Sequence, residues 1–183
     1  DSVRITTWNV NGLRLATKRR MVCEELKGFK SDLICLQETH LARQELQGFS
    51  QGWLQVLAGT IQEGATRGVA LLTRLHICKI VKHKADPQGR WLVCQVEWAG
   101  QRLTILGVYA PNQDEPEVFN TLLLELGQLS IPRIVCGDLN LALDVTQDTT
   151  SLAVLTRMHQ SRATLLYLIS SYGLVGAWRF LQP

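Results

Sequence analysis

The chain has 183 residues, of which 46% are hydrophobic, and 19 lysines and arginines against 16 aspartates and glutamates give a net charge of +3. This composition excludes a disordered, fibrous or repeat protein, and the absence of any long apolar run predicts a soluble protein with no membrane partner. The five cysteines are widely spaced and lack C-x-x-C spacing, which argues against zinc and favours reduced core thiols in an intracellular protein.

Apolar periodicity predicts many short strands interleaved with three helices. In chain order the elements are a strand at Val3–Val10, a helix at Thr17–Phe29, a strand at Asp32–Gln37, strands near Trp53–Leu57 and Gly68–Thr73, strands at Ile77–Lys82, Trp91–Trp98 and Arg102–Tyr109, a helix with Pro116 in its first turn, a strand rising through Arg133–Cys136, and a helical stretch from about Leu152 to Ser171. The remaining segments Thr39–Gly52 and Asp144–Ser151 are interpreted as polar loops, and Leu174–Pro183 as the start of a strand or a connection. The pattern is typical of an α+β single domain whose sheet core is covered by helices.

Local signals place the starts and the apolar faces of two helices. Thr17 is the predicted cap of the first helix, and its apolar stripe is Met21, Val22, Leu26 and Phe29. Asp114 and Glu117 have the spacing of a capping box for the second helix, whose apolar face is Val118, Phe119, Leu122, Leu123, Leu126 and Leu129. Aromatic residues on these patterns are predicted core residues: Trp53, Trp91, Trp98, Trp178, Phe29 and Phe119.

Polar side chains follow several predicted strands at the point where each strand ends. They are Asn9, Glu38, Tyr109 with Asn112, and Asp138 with Asn140. Gly137 permits a tight turn, and extended alternation puts Asp138 and Asn140 on one face with Leu139 turned to the core. If the strands are neighbours in packed sheets, these side chains converge on one cleft edge. An Asx turn that ends an ordinary strand is the structural alternative.

The donor types in this set indicate the chemistry. Carboxylate and carboxamide oxygens suit Mg²⁺ or Mn²⁺, and zinc is disfavoured because no cysteine or histidine is placed to help. Carboxamide N–H groups suit a phosphate, and a bound metal neutralises a leaving alkoxide. The basic clusters Lys18-Arg19-Arg20 and Lys79, Lys82, Lys84 with Arg90 are, taken alone, typical of solvated faces.

Four motifs, in this order, resemble the endonuclease/exonuclease/phosphatase superfamily. They are W-N-V-N-G-L-R at Trp8–Arg14, L-Q-E-T-H at Leu36–His40, V-Y-A-P-N at Val108–Asn112 and G-D-L-N at Gly137–Asn140. The resemblance implies an α/β (α+β) fold, the DNase-I-like four-layered sandwich of two mixed β-sheets flanked by helices. Within the superfamily, Q-E-T-H-L, the R-G-V-A-L-L strand, Y-A-P-N and the closing G-L-V-G-A-W-R-F-L-Q-P look most like the endonuclease domain of LINE-type (non-LTR) retrotransposons, with apurinic/apyrimidinic endonucleases as near relatives.

The resemblance implies catalytic roles for the residues that match its motifs. Glu38 would hold Mg²⁺, or Mn²⁺, with Asn9 helping to order that metal. Asp138 would orient or deprotonate the attacking water, which Asn140 would position. The implied reaction is hydrolysis of a phosphodiester in one strand of duplex DNA, leaving a 3′-hydroxyl that primes reverse transcription.

The resemblance also implies substrate contacts and partners. Asn112 would donate to the scissile phosphate, and Tyr109 would contact that phosphate or stabilise its transition state. Asn11 and Arg67 are further substrate-binding candidates. The implied partners are a double-stranded DNA target, a reverse transcriptase domain in the same polyprotein and, indirectly, the element RNA, with the nucleus as the place of action.

Two departures from the family pattern limit this expectation. The family domain continues through further strands carrying an Asp and a terminal Asp-His, so the chain is expected to be a C-terminally truncated domain, weakly active or inactive, with an exposed sheet edge. The histidines His40, His76, His83 and His159 do not substitute, and His40 is interpreted as a solvated loop residue. Relatives often carry Asp-Arg where Asp148 precedes Thr149, and Asp where Gly176 stands.

Three alternative functions remain open from the sequence. An apurinic/apyrimidinic repair endonuclease would prefer a lesion over intact DNA. A phosphatase of the same superfamily would act on smaller phosphate esters. An inactive nucleic-acid-binding module would use Lys18, Arg19, Arg20 and Arg67 on the DNA backbone and would show strong salt dependence.

Overall fold

The computed structural model describes residues 2–50, 52–62, 64, 66–129, 133–144, 148 and 158–181, except the side chain of Trp178. The chain forms two compact units, Asp1–Ala110 with Ser130–Leu139, and Pro111–Leu129 with Asn140–Pro183. Among the described residues, no helix is long and apolar enough to cross a membrane.

Strands and two helices make up the first unit, and the described elements of the second unit are helical. The strands are β1 (Ile5–Asn9), β2 (Leu33–Gln37), β3 (Leu54–Gly59), β4 (Val69–Arg74), β5 (Cys78–Ala85), β6 (Trp91–Trp98), β7 (Gln101–Tyr109) and β8 (Arg133–Asp138). The helices are α1 (Ala16–Phe29), α2 (Arg43–Gln47), α3 (Pro116–Gly127), α4 (His159–Ser171) and α5 (Ala177–Leu181). The structure contains all the strands predicted as far as β8, and it contains the first two predicted helices. The third predicted helix is present in its described part.

Both sheets are mixed, as predicted. The first sheet has the strand order β1-β2-β4-β3, and the second has the order β5-β6-β7-β8. β1 runs parallel to β2, and β7 runs parallel to β8, whereas every other neighbouring pair is antiparallel. β1 and β8 are therefore edge strands of their sheets, and each lies beside a parallel neighbour.

The first unit has a core on each face of the first sheet. Alternate residues of β2 enter different layers: Leu33 and Cys35 pack between the two sheets, whereas Ile34 and Leu36 pack with α1. All five residues of β2 are buried as a result. This double burial explains the continuous apolar run in the sequence, and each fully buried leucine or isoleucine contributes about 1.5–3 kcal/mol.

The predicted start of α1 is wrong, and its predicted apolar stripe is right for Val22 and Leu26 but wrong for Met21 and Phe29. The cap residue is Leu15, which makes no side-chain hydrogen bond, so Thr17 lies inside the first turn. Val22, Cys23 and Leu26 form the buried face. Met21 is 72% exposed and Phe29 is 42% exposed, because the face that meets the first sheet is too narrow to include either residue.

The segment predicted as the polar loop Thr39–Gly52 contains the short helix α2. Leu46 and Phe49 are buried in the core of the first unit. The Glu45 carboxylate accepts the Ala42 N–H at 3.0 Å and pairs with Arg19 at 3.4 Å. A five-residue helix is too short to show helical periodicity, so the sequence pattern missed it.

The capping box predicted for α3 is also wrong. Glu115 is the cap residue of α3 and makes no side-chain hydrogen bond. The Asp114 carboxylate instead accepts the N–H groups of Gln160 at 3.2 Å and Ser161 at 2.7 Å, in the first turn of α4. The predicted apolar face of α3 is present, with Phe119, Leu122 and Leu126 buried.

The last described helices lie partly where the sequence predicted them. α4 ends at Ser171, as expected, and the Leu174 N–H bonds to the Ile169 carbonyl after Gly173, which has a left-handed backbone. The earlier part of the predicted helix, at residues 151–157, lies outside the described residues. The strand or connection predicted from Leu174 is wrong, because α5 forms there with a Phe180 N–H bond to the Gly176 carbonyl.

Cysteines and aromatic residues occupy the expected core positions with two exceptions. All five cysteines are free thiols, and four of them are buried: Cys23, Cys35, Cys78 and Cys94. Trp91 and Phe119 are buried, and Trp53 and Trp98 pack against the two cores of the first unit. Phe29 is half-exposed, and the side chain of Trp178 lies outside the described part of the chain.

Candidate active site

The ends of two parallel strand pairs assemble the candidate site. β1 and β2 end side by side, with Asn9 opposite Gln37, and Glu38 follows directly. β7 and β8 end side by side, with Tyr109 opposite Asp138. Parallel neighbours finish at the same edge of a sheet, so each pair delivers its terminal polar residues to one place. The predicted convergence of strand ends is therefore present for these four side chains of the first unit.

Asn9 joins the two carboxylates of the site. Its Nδ2 donates to Glu38 Oε1 at 2.8 Å and to Asp138 Oδ2 at 2.9 Å, while its Oδ1 accepts the Asn11 N–H at 3.0 Å. The orientation of the amide is fixed by its partners, since carboxylates only accept and a backbone N–H only donates. One carboxamide thus holds a carboxylate from each sheet in a single arrangement.

The backbone at Glu38 and His40 is left-handed, with φ of 51° and 53°. Neighbouring segments hold this conformation: the Gly12 N–H bonds to the Glu38 carbonyl at 2.7 Å, and the His40 N–H bonds to the Arg67 carbonyl at 2.9 Å. Non-glycine residues in this region cost about 1–3 kcal/mol each and occur where the surroundings determine them. The surrounding loops therefore set the direction of the Glu38 side chain.

Tyr109 lies against Glu38 on one side and Arg90 on the other. Burial raises the pKa of Tyr109, and a hydrogen bond to Glu38, with the negative charges of Glu38 and Asp138, raises it further, while Arg90 opposes the change. The Arg90 guanidinium is 5.3 Å from the centre of the Tyr109 ring, and Arg90 is only 7% exposed. The phenol is therefore held as a proton donor at neutral pH.

His40 is half-buried in the structure and is not the solvated loop residue expected from the sequence. Its Nε2 is 3.8 Å from Glu38 Oε2, and its side chain is 24% exposed. Desolvation lowers the pKa of His40, and the positive charges of Arg14 and Lys18 lower it further, against the opposing effect of Glu38. The neutral imidazole is therefore favoured beside the carboxylate.

Gly137 is required by the close approach of β8 to β7. Its φ is 140°, and a Cβ added there would lie 1.9 Å from the Val108 carbonyl oxygen. The tight turn predicted at Gly137 is wrong, because β8 continues through Gly137 to Asp138, but the position does require a glycine. The extended alternation does not continue to Asn140, because Asn140 has a left-handed backbone with φ of 49°. The expected common face of Asp138 and Asn140 therefore does not follow from extended alternation, and it stays a prediction.

The other predicted site residues have the following positions. Asn112 and Asn140 belong to the second unit, where both are exposed, and their roles stay predictions. Asn11 has a left-handed backbone, and its carbonyl accepts the Lys18 ammonium at 2.6 Å. Arg67 is partly buried and donates to the Gln88 carbonyl at 3.3 Å.

Arg90 is the residue of this neighbourhood that sequence reasoning missed. The sequence pattern places Arg90 with the basic residues of β5, whereas in the structure its guanidinium lies over the Tyr109 ring. The available signal was its position directly before β6, which pairs with the end of β7 at Trp91 and Val108. The Arg90 carbonyl also accepts the Tyr109 N–H at 2.7 Å, which joins the two residues through the backbone.

The donor set fits a divalent hard cation. Mg²⁺ is commonly bound by one or two carboxylates and takes its remaining ligands from water and substrate phosphates. The site contains two such carboxylates, those of Glu38 and Asp138, and both are bonded to the Asn9 amide. Among the residues that the structure describes, no group of three or more His, Cys, Asp or Glu side chains is placed to hold a metal ion. The two carboxylates of the site are ligands of the type that a hard divalent cation takes.

The family model for endonucleases, exonucleases and phosphatases matches residues 6–165. The chain belongs to the endonuclease/exonuclease/phosphatase family. By that description the family comprises enzymes that hydrolyse phosphate esters, and the site described above is in keeping with such chemistry.

Two curated relatives and one solved structure are similar to the chain. An exodeoxyribonuclease of Bacillus subtilis (strain 168) is 26% identical over 155 residues, which are 76% of this chain and 59% of the relative. The DNA repair nuclease APEX1 of Danio rerio is 26% identical over 160 residues, which are 77% of this chain and 50% of the relative. The AP endonuclease LMAP from Leishmania major matches with a TM-score of 0.75 at 16% identity, over 92% of this chain and 66% of that one.

These comparisons establish the fold of the chain, and they show how much of each relative the chain covers. The predicted DNase-I-like fold is confirmed by the structural likeness. The chain spans 59% and 50% of the length of the two curated relatives.

Proposed function

We propose that the chain is an endonuclease domain that hydrolyses a phosphodiester in one strand of duplex DNA. The observation that carries the proposal is the Asn9 amide, which holds Glu38 and Asp138 together beside the Tyr109 phenol. Two carboxylates and a proton donor suit attack by water on a phosphate. The names of the two curated relatives, an exodeoxyribonuclease and a DNA repair nuclease, support DNA as the substrate.

In the proposed mechanism each side chain has a separate task. Glu38 would hold Mg²⁺ or Mn²⁺, which when bound neutralises charge on the phosphate and the leaving oxygen. Asp138 orients the attacking water and accepts its proton. Tyr109, whose O–H is bonded to Glu38 in this structure, would transfer that hydrogen bond to a phosphate oxygen when substrate binds, where negative charge develops in the transition state. Asn9 acts through the carboxylates, because both of its N–H groups are already bonded to them.

We further propose that the domain belongs to a LINE-type (non-LTR) retrotransposon and acts in the nucleus. The support is the motif set Q-E-T-H-L, R-G-V-A-L-L, Y-A-P-N and G-L-V-G-A-W-R-F-L-Q-P. In that setting the nick would supply the 3′-hydroxyl for a reverse transcriptase in the same polyprotein, which would copy the element RNA. A cleavage product with a 3′-hydroxyl is a requirement of this proposal.

A repair endonuclease acting at apurinic/apyrimidinic sites is the second candidate. Two observations favour it: one curated relative is named a DNA repair nuclease, and the solved AP endonuclease of Leishmania major has the same fold. The two candidates differ in substrate, since a repair enzyme cleaves a duplex with an abasic site far faster than the intact duplex.

The test is nicking of supercoiled plasmid in Mg²⁺ or in chelator. It uses this chain and a version lengthened with the C-terminal part of a relative, because the chain covers only part of those relatives. We expect Asp138→Ala and Glu38→Gln each to lower nicking by about 10²-fold or more. The matched control is Glu24→Gln, which removes one carboxylate from the exposed surface of α1 and leaves nicking unchanged.

The outcomes separate the proposals. Magnesium-dependent nicking that is lost in Asp138→Ala and Glu38→Gln supports the endonuclease. Equal nicking by these variants and by the unmodified protein would refute the assigned site. An oligonucleotide duplex with one abasic site, compared with its intact counterpart, then distinguishes the repair enzyme from the retrotransposon endonuclease. If neither version cuts DNA, the endonuclease proposal fails and phosphate monoesters become the next substrates.

A further inference from the structure

A bulge in β5 changes which of its residues face outward. The pairing of β5 with β6 shifts register between Ile80 and Lys82, so Val81 is an extra residue on β5. Before the bulge Lys79 is opposite Glu97, and after it Lys82 is opposite Gln95. In a strand without a bulge, residues three apart, such as Lys79 and Lys82, face opposite sides of the sheet. The one inserted residue of the bulge puts both on the same side.

The inner core identifies the outward side. On β6, Cys94 and Val96 are buried between the sheets. Their partners Ile80 and His83 are therefore on the inner side of β5, where His83 is exposed, and the residues opposite Glu97, Gln95 and Val93 are on the outer side. Three exposed lysines share that outer side: Lys79, Lys82 and Lys84. These three residues are named the lysine stripe.

The surroundings of the lysine stripe leave it strongly positive. Glu97 is opposite Lys79, but its neighbour on the other side is Arg102 of β7. Glu97 and Arg102 are both exposed on this side of the second sheet. The Lys84 ammonium lies 6.0 Å from the centre of the Trp91 ring, which holds its aliphatic stem against the sheet. Among the described residues named here, four are cations and one is a carboxylate.

The lysine stripe begins at the end of the sheet that carries the candidate site. Ala85 at the end of β5 pairs with Leu92, and Trp91 pairs with Val108, the residue before Tyr109. The stripe runs from Lys84 at this end to Lys79 at the far end. Lys82 and Lys84 are roughly 7 Å apart along the strand, which is similar to the separation of successive phosphates in an extended nucleic-acid strand.

We infer that the lysine stripe binds the phosphodiester backbone of nucleic acid that flanks the candidate active site. The inference rests on the proposed function for its ligand, because a nuclease with DNA at the strand ends has flanking backbone to place. Lysines contact phosphates without reading sequence, and each contact releases a counterion, so the binding is strongly salt-dependent. The bulge supplies the alignment that places three lysines on one side.

The test is equilibrium binding of fluorescent DNA duplexes in chelator at several salt concentrations. The eight residues of β5 cover roughly 27 Å, about the length of eight base pairs. The probes are therefore a duplex of about 12 base pairs and the same duplex extended by about 10 base pairs on each side. The variants are Lys79→Gln/Lys82→Gln/Lys84→Gln and Lys79→Arg/Lys82→Arg/Lys84→Arg.

We expect the glutamine variant to bind the long duplex more weakly, with the slope of log affinity against log salt reduced by about two to three. The short duplex loses less affinity because fewer of its phosphates can reach the lysine stripe, an unchanged circular dichroism spectrum reports a folded protein, and the arginine variant behaves like the unmodified protein. If the triple glutamine variant does not fold, the single variant Lys82→Gln is expected to reduce the slope by about one, with Lys27→Gln of α1 as its matched control.

Equal salt slopes for the glutamine variant and the unmodified protein on the long duplex would overturn the inference. The lysines would then serve to keep the edge strand from pairing with other chains. The result is separable from the proposed function: a reduced slope in a protein that never nicks DNA leaves the lysine stripe standing and refutes the endonuclease.

Discussion

Tyr109 is the residue at which burial and charge act together on an ionisable group of the candidate site. Burial, the hydrogen bond to Glu38 and two neighbouring carboxylates all raise its pKa. A raised pKa means that the protonated phenol stabilises the folded protein below the ordinary value of about 10, and that this stability is lost as the pH rises through the folded-state pKa. Tyr109 should thus remain a donor across the physiological range.

We predict two effects of Tyr109→Phe. The tyrosine titration loses the group that ionises above the ordinary range. Nicking at pH 7 falls by about 10²-fold, because the variant lacks a hydrogen-bond donor to the phosphate. Ultraviolet titration of tyrosinate, as the difference between the unmodified protein and the variant, measures the first effect. Tyr167→Phe, on the exposed surface of α4, is the control for nicking. A difference titration centred at or below pH 10 would contradict the assignment.

Residue types were easier to predict than their contacts. The strand-end pattern correctly brought Asn9, Glu38 and Asp138 together, because the end of a strand is readable from where its apolar pattern stops, whereas the parallel pairing of β1 with β2 and of β7 with β8 was not predicted. The bridging role of the Asn9 amide was not readable, since it depends on an Asn11 N–H that occupies the amide oxygen. The left-handed backbone at Glu38 was also hidden, because it is imposed by chain segments distant in sequence.

Among the elements, α4 depends on a carboxylate from another segment for its first turn. Its own cap residue, Met158, has no oxygen to offer and makes no side-chain hydrogen bond. Asp114 supplies both missing bonds, to the N–H groups of Gln160 and Ser161. The nearby Ser161 hydroxyl and these N–H groups lower the pKa of Asp114.

We predict that Asp114→Ala lowers the melting temperature at pH 7, and that Asp114→Asn lowers it less because one acceptor oxygen remains. The pKa of Asp114 is depressed, so its stabilising effect is present above about pH 4 and is lost as the pH falls through the folded-state pKa. The difference in melting temperature between the unmodified protein and Asp114→Ala therefore shrinks in acid. Melting curves at pH 7 and pH 2.5, followed by circular dichroism, measure it.

The control for this prediction is Glu115→Ala. Glu115 is the cap residue of α3 and makes no side-chain hydrogen bond, so its removal should leave the melting temperature unchanged. If Glu115→Ala destabilises the protein as much as Asp114→Ala, the stabilising effect does not come from the bonds of Asp114 to α4, and the prediction is contradicted. A pattern of spacing alone cannot distinguish these cases, because Asp114 lies next to α3 in sequence and beside α4 in space.

Short elements were the ones that sequence patterns missed. α2 and α5 have five residues each, fewer than two helical turns, so neither repeats an apolar position often enough to show a period. β2 and β6 were predicted within one residue of their bounds because their patterns extend over the whole strand. Periodicity thus located the strands and long helices, and tertiary contacts determined the remainder.

At the scale of the whole first unit, function depends on two sheets held at a set distance. The two carboxylates of the candidate site come from different sheets, Glu38 after β2 and Asp138 at the end of β8, and one amide spans them. The sequence predicted two mixed sheets through its motif resemblance. It could not predict their separation, because that separation depends on which side chains meet across the inner core.

At Gly107 of β7 the two sheets of the first unit lie so close together that a side chain would not fit. A Cβ added there would lie 2.6 Å from Cys35 Sγ and 2.8 Å from Val69 Cγ1, both on the first sheet. Real Cβ atoms do not sit so close, so an added methyl group must push the sheets apart or displace these side chains. Cys35 Sγ also accepts the Gln37 amide at 3.2 Å, which limits its movement.

We predict that Gly107→Ala lowers the free energy of unfolding by about 1–3 kcal/mol, the usual cost of overpacking a core. Urea denaturation measures it. Gly28→Ala is the matched control, because a Cβ at Gly28 in α1 meets nothing within 4 Å, and alanine there should be neutral or stabilising by up to about 1 kcal/mol. Where the methyl group pushes the sheets apart, it also separates Glu38 from Asp138, so nicking by Gly107→Ala should fall as well, while Gly28→Ala keeps full activity. Unchanged stability in Gly107→Ala would mean that the sheets yield without strain, and that their spacing does not position the carboxylates.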